Sequence, residues 1–162
     1  MIQKKICMLG AFGVGKTSLV SRYVHSIFSD TYLTTIGVKI DKKTVDLGHE
    51  RVDLILWDIH GEDEFQKVRM SYLRGASGYL LVVDGTRRST LDTALSLHES
   101  AQRTIGHVPF MVAINKADLA ARWEFDTDLV GQLGLPFVKT SAKSGAQVEE
   151  AFESLSRAML LV

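Results

Sequence analysis

The sequence predicts an α/β domain, a mostly parallel six-stranded sheet with one antiparallel hairpin and helices on both faces. Strand-length apolar runs alternate with stretches of helical spacing along almost the whole chain. The runs at 78–83 and 109–114 are nearly uninterrupted, the form of strands buried on both faces, and such strands belong to parallel sheets. The chain also opens with a strand, a glycine-rich loop and a helix in direct succession, so ligands are expected where the strands' carboxyl ends meet loops.

In order, Ile6, Cys7, Met8 and Leu9 form the first strand-length run. Gly10-Ala11-Phe12-Gly13-Val14-Gly15-Lys16-Thr17 follows, with Lys and Thr directly after the last glycine. It reads as a phosphate-binding loop. Glycines let the backbone turn its N–H groups toward phosphate oxygens, and the helix N-terminus adds partial positive charge. Lys16 would reach the β- and γ-phosphates, and the Thr17 hydroxyl would hold Mg²⁺. The plain alternative, an ordinary glycine-rich turn, is disfavoured by the strand before and the helix after.

Leu19, Val20, Tyr23 and Val24 give Thr17 to His25 a helical stripe, and a long polar stretch from Ser26 to Thr35 follows. Alternation through Val38, Ile40, Lys42, Val45 and Leu47, a turn at Gly48-His49-Glu50, and resumed alternation at Val52, Leu54 and Leu56 predict the hairpin. It ends in Trp57-Asp58-Ile59-His60-Gly61, and acidic Glu62-Asp63-Glu64 leads into a helix expected to reach Arg74. Gly78 to Val83 is a buried strand closed by Asp84-Gly85. Ser89 is expected to cap a helix whose inner face is Leu91, Ala94, Leu95, His98 and Ala101 and which ends near Gly106. His98 reads as a satisfied or partly exposed histidine, since no second ligand stands at metal spacing. Pro109 to Ile114 delivers Asn115-Lys116-Ala117-Asp118 at its carboxyl end. A short helix without a legible start lies within 119–134. Phe137 to Lys139 is a last strand ending at Thr140-Ser141-Ala142-Lys143, and Val148, Ala151, Phe152, Leu155 and Met159 stripe a final helix.

At 162 residues the chain is expected to be a single domain, 1–162, and a monomer. Its 19 basic and 19 acidic residues give no overall field toward nucleic acid or an anionic membrane. The one cysteine, Cys7, lies inside an apolar run, so no disulfide can form within the chain and a reducing, cytoplasmic setting fits. No apolar stretch reaches the roughly 18 residues of a membrane span. Residue 2 is Ile and no Cys lies near Met159-Leu160-Leu161-Val162, so neither a myristoyl nor a prenyl anchor is expected from the chain as given, while a native tail and membrane attachment are left undetermined.

The phosphate loop, Thr35-Ile36-Gly37, Asp58-Ile59-His60-Gly61, Asn115-Lys116-Ala117-Asp118 and Ser141-Ala142-Lys143 stand in register along the chain. Together they resemble a Ras-superfamily small GTPase. The Thr-Ile-Gly-Val run, Trp57-Asp58 and Tyr72-Leu73-Arg74-Gly75-Ala76 look most like the Rab branch, and a prokaryotic member would read the same way. The resemblance implies the small G-protein fold of the P-loop NTPases, GTP and GDP as substrate and product, and Mg²⁺. It places Gly10, Phe12, Gly13, Val14, Gly15, Lys16, Thr17 and Ser18 around the phosphates, and Phe28 and Asp30 beside the nucleotide. Asn115, Lys116, Asp118, Ser141, Ala142 and Lys143 fall at the base. A carboxylate at Asp118 suits guanine, whose N1–H and 2-amino group it accepts together; against adenine it would be left unpaired. Thr17 and Thr35 would hold Mg²⁺, with Asp58 acting through water, because Mg²⁺ takes few protein oxygens. Thr35 and Gly61 would meet the γ-phosphate and release their segments when it leaves. The implied catalytic set is Lys16, Thr35, Gly61 and Glu62.

Three positions depart from the family around the γ-phosphate. Phe12 replaces a small residue and is expected to obstruct an arginine supplied by an activating protein. Glu62 replaces the glutamine that orients the attacking water, with an effect of either sign. His60 replaces a small residue before Gly61. The resemblance also implies an effector surface over Ile36 to Ile40, Trp57 and Tyr72, where Ile40 takes the place of an aromatic, together with exchange and activating factors. The expected activity is slow hydrolysis of GTP by a molecular switch. The rival is a binding module that holds GTP or GDP and scarcely turns over; an ATP-using phosphate-loop kinase is disfavoured by Asp118.

Overall fold

The computed structural model describes residues 2–28, 38–60 and 70–161. Among them six strands form one sheet: β1 (Ile2–Gly10), β2 (Val38–Asp46), β3 (Arg51–Ile59), β4 (Gly78–Asp84), β5 (Phe110–Asn115) and β6 (Phe137–Lys139). Their spatial order is β2-β3-β1-β4-β5-β6. β2 and β3 pair antiparallel, with Val38 opposite Ile59 and Asp46 opposite Arg51, and every other pair is parallel. The helices are α1 (Lys16–His25), α2 (Ser89–Ile105), α3 (Thr127–Gln132) and α4 (Val148–Leu160). Short 3₁₀ turns lie at Met70–Leu73 and Ala117–Arg122.

Successive side chains of a strand point to opposite faces, and the central strands sort their residues accordingly. Ile6, Met8, Leu80 and Val82 join one apolar cluster with Leu19, Val20 and Tyr23 of α1 and Val148, Phe152 and Leu155 of α4. Cys7, Leu9, Tyr79, Leu81 and Val83 join a second, with Leu91, Ala94 and Ala101 of α2 and Val130 of α3. Each apolar run therefore builds both layers at once, and helices lie on both faces as the sequence requires.

The structure corrects several local expectations. β1 begins at Ile2, ahead of the apolar run, because Ile2 to Lys5 continue the ladder against Val52 to Ile55. Ser89 does not cap α2. The chain is already helical at Arg88 (φ −55°, ψ −36°), whereas a capping side chain needs extended backbone at its own residue. The Arg88 N–H is instead taken by Glu124 Oε1 at 2.8 Å. The inner face of α2 includes Leu97, which the stripe omitted, while Leu95 is only half buried. His98 is satisfied: its Nδ1 lies 2.7 Å from the Tyr79 hydroxyl and its ring packs on Phe110. The helix with no legible start is α3, whose first turn is capped by the Asp126 carboxylate accepting from the Asp128 N–H at 2.9 Å. Of the helix expected to reach Arg74, the part before Met70 lies outside the described residues, and the rest is the 3₁₀ turn Met70–Leu73.

Candidate functional site

β1 ends at Gly10 and α1 begins at Lys16, so the loop between them sits on the carboxyl edge of the sheet. Gly15 is required there twice over. Its φ is +105°, and a Cβ on it would lie 2.3 Å from Asn115 Nδ2. The loop's backbone thus closes directly onto the end of β5. Asn115, 2 % exposed, donates from Nδ2 to the Val14 carbonyl at 3.0 Å. Its Oδ1 accepts from the Thr140 hydroxyl at 3.2 Å and the Ala142 N–H at 3.3 Å. One buried amide therefore joins the phosphate loop, the end of β5 and the loop after β6.

Lys16 is 5 % exposed, and its ammonium donates to the Gly10 and Ala11 carbonyls at 2.8 and 3.2 Å. Burial pulls its pKa down to about 8 against the upward pull of Asp58, with Arg87 adding to the fall. A charged ammonium held at this depth favours an anion close by. Thr17 donates to Asp58 Oδ2 at 2.6 Å. Burial raises the Asp58 carboxyl's pKa, although the Thr17 hydroxyl and the charge of Lys16 oppose it. Its other oxygen, Oδ1, is buried with no hydrogen-bond partner among the described residues. Such an orphan acceptor beside a hydroxyl is a hard-oxygen pair suited to Mg²⁺ or to its bound water.

Phe12, 39 % exposed, stands at the loop's rim, and its ring meets that of His60 edge-on at 5.7 Å. Two of the three departures from the family pattern are therefore in contact. Burial lowers the His60 pKa, and the charge of Lys16 lowers it further, so the imidazole is neutral near pH 7.

On the other side of the cleft, Asp118 accepts the Ser141 hydroxyl at 2.7 Å, and that same hydroxyl oxygen takes the Ser144 N–H at 3.0 Å. Lys116 sits in the left-handed region (φ 72°) and its ammonium pairs with Asp84 at 2.8 Å. Ala142 is buried and Lys143 exposed. Gly13, Ser18 and Phe28 are half buried at the loop, at the start of α1 and just beyond its end. Asp30, Thr35, Gly61 and Glu62 lie outside the described residues.

Four residues that the motifs did not single out hold the site. Arg22 of α1 donates from Nε to the Ala142 carbonyl at 2.8 Å and also reaches the Lys143 carbonyl. Trp123 Nε1 donates to the Lys116 carbonyl at 2.9 Å. Asp84 and Arg87 link the loops around the phosphate and the base. The readable signal was Asp84 itself, an acid ending an otherwise apolar strand next to Asn115 in the register.

On the hairpin side, Ile40 is 53 % exposed and lies opposite Trp57 across the β2–β3 ladder. Trp57 and Tyr72 are half buried with ring centroids 6.4 Å apart. Lys5 lies 3.6 Å from the Trp57 ring centroid and donates to the Tyr72 and Arg74 carbonyls, which fixes the rings from below. Ile36 and Gly37 lie outside the described residues. No helix among the described residues is long and apolar enough to cross a membrane.

The family model described as "Ras family" matches residues 5–161. Among curated relatives, "Ras-related protein Rab-13" of Canis lupus familiaris is 34 % identical over 97 % of this chain and 80 % of its own length. The Bos taurus protein of the same name matches to the same extent. "Ras-related protein Rab-8B" of Homo sapiens is 33 % identical over 94 % of this chain and 76 % of its own length. With the phosphate loop, the Thr17–Asp58 pair and the Asn115–Asp118 segment gathered on one sheet edge, the chain belongs to the Ras family as a Rab-like, GTP-binding small GTPase.

Proposed function

We propose that this protein is a guanine-nucleotide switch that hydrolyses GTP to GDP and phosphate slowly when unaided. The observation that carries the reading is the Lys16, Thr17 and Asp58 constellation, with an ammonium and an orphan carboxylate oxygen buried together at the phosphate loop. Lys16 supplies fixed positive charge to the β- and γ-phosphates without reorganisation. Thr17, Asp58 and Thr35 are the residues that would hold Mg²⁺, which when bound would supply neutralisation of phosphate charge. Asp118 reads guanine. Asn115 positions the loops, with the stem of Lys116 and the ring of Phe28 beside the base and the Ala142 N–H on its O6. By the family resemblance Gly61 is assigned to the γ-phosphate and Glu62 to the attacking water, where its charge would repel the phosphate unless it took the water's proton.

The slow unaided rate rests on Glu62 in the place of a water-orienting glutamine, together with Phe12 at the rim of the phosphate loop. The Phe12 ring, edge-on to His60, would crowd the approach of an arginine supplied by an activating protein. The same contact favours the second reading, a GTP- or GDP-held binding module with negligible turnover. In either reading an effector meets Ile36 to Ile40, Trp57 and Tyr72, and an exchange factor and an activating protein are the other partner kinds. The protein works as a monomer in the cytoplasm and has no role in nucleic-acid binding. Thermal unfolding with non-hydrolysable GTP and ATP analogues tests the base assignment. Stabilisation by the GTP analogue alone is expected, by about 3 to 4 kcal/mol at 100 to 1,000 times Kd, and equal stabilisation by both would contradict it.

A further inference from the structure

Asp84 ends β4 with its side chain 1 % exposed, and among the described residues it is the most heavily bonded carboxylate in the cleft. Oδ1 accepts from the Thr86 N–H at 2.9 Å and the Thr86 hydroxyl at 2.7 Å. Oδ2 accepts from Arg87 Nε at 3.0 Å and from the Lys116 ammonium at 2.8 Å. Burial works to raise this carboxyl's pKa, but the bonds from Lys116, Thr86 and Arg87 outweigh it, so Asp84 stays ionised well below neutral pH. The guanidinium of Arg87 then spans two acceptors, because its Nη2 donates to the Phe12 carbonyl at 2.8 Å. That nitrogen lies 3.4 Å from where a Cβ on Gly13 would stand, so the fork lies against the loop's backbone.

We infer that Arg87 is a positioning residue for nucleotide retention. Its fork ties the phosphate loop at Phe12 to the buried Asp84, whose same oxygen holds Lys116 of the base-recognition segment, so the phosphate and base ends of the site keep one fixed spacing. A nucleotide that bridges both ends gains affinity from this preorganisation, since neither loop must be ordered on binding. The Arg87 charge also stands at the loop's outer rim, where it favours the phosphates electrostatically. Lysine cannot substitute, because a single ammonium does not span Asp84 and the Phe12 carbonyl as a planar fork does. The inference rests on the guanine-nucleotide reading above.

The test is release of fluorescent GDP from preloaded protein, chased with excess unlabelled GDP, for the wild type, Arg87→Ala, Arg87→Lys and Arg88→Ala. Arg87→Ala is expected to release about 5- to 10-fold faster, a charge-assisted bond discounted for the partial exposure of Arg87. Arg87→Lys is expected to recover little of that, and Arg88→Ala, a neighbour of equal charge, to stay within about twofold of the wild type. Without nucleotide, Arg87→Ala is expected to melt within about 2 °C of the wild type, because Asp84 keeps Lys116 and Thr86; a merely structural role would move melting and release together. Release from Arg87→Ala at the wild-type rate, or full rescue by Lys, overturns the inference while leaving the nucleotide reading intact. A wild type that retains no GDP at all overturns both.

Discussion

Replacing Asn115 with Ala removes the amide that joins three loops. The side chain is 2 % exposed and makes bonds of 3.0, 3.2 and 3.3 Å to Val14, Thr140 and Ala142. Each neutral bond contributes about 1 kcal/mol net, and a buried group left unpaired costs about 1 to 3 kcal/mol. The two bonds to Oδ1 are long and count toward the low end, so the sum is about 2 to 4 kcal/mol. For a domain of this size that lowers the melting temperature by roughly 5 to 15 °C. The assay is urea unfolding of nucleotide-free protein, where the midpoint should fall with the slope unchanged. Measured without nucleotide, the loss reports the loop junction and not base recognition. A change below about 0.5 kcal/mol would mean that the Asn115 amide does not hold the three loops together and acts on the base alone.

Opening the rim with Phe12→Gly removes the ring contact with His60, worth about 0.5 to 1 kcal/mol. The variant should become sensitive to an activating protein that supplies an arginine, read as phosphate release with and without that protein; an unresponsive variant would place the block elsewhere. Lys16 titrates at about 8 when folded and near 10.5 when unfolded, so between these values the unfolded chain binds more protons and stability rises with pH. Wild-type stability relative to Lys16→Met, followed by urea unfolding without nucleotide, should climb by about 3 kcal/mol from pH 8 to pH 10.5. A flat difference would show that the Lys16 ammonium is not desolvated. Cys7 is fully buried with its thiol pushed up to about 12, so a thiol reagent at pH 8 should label it only on unfolding; stoichiometric labelling of the folded protein within minutes would contradict that burial.

The sheet was legible because its determinants are local: runs such as 78–83 declare strands buried on both faces without knowledge of their partners. The phosphate loop was legible for the same reason, its glycines and Lys16 being contiguous. What stayed hidden depends on partners far away in sequence. Arg87 reads as a turn cation until its bond to Phe12, at a sequence distance of 75 residues, is seen. Arg22 reads as the polar face of α1 until it meets Ala142. Ser89 misled because a capping residue type says nothing of the backbone before it, and Arg88 is already helical. Family resemblance places Asn115 at the base, and only the structure shows that its amide joins the loops.

Single-turnover phosphate release from protein preloaded with GTP and Mg²⁺, with no partner present, decides whether this chain is a slow, self-contained switch. Release over minutes to hours that disappears in Lys16→Ala is predicted. No release above the protein-free control, with GTP still bound, would contradict it and leave a GTP-held binding module.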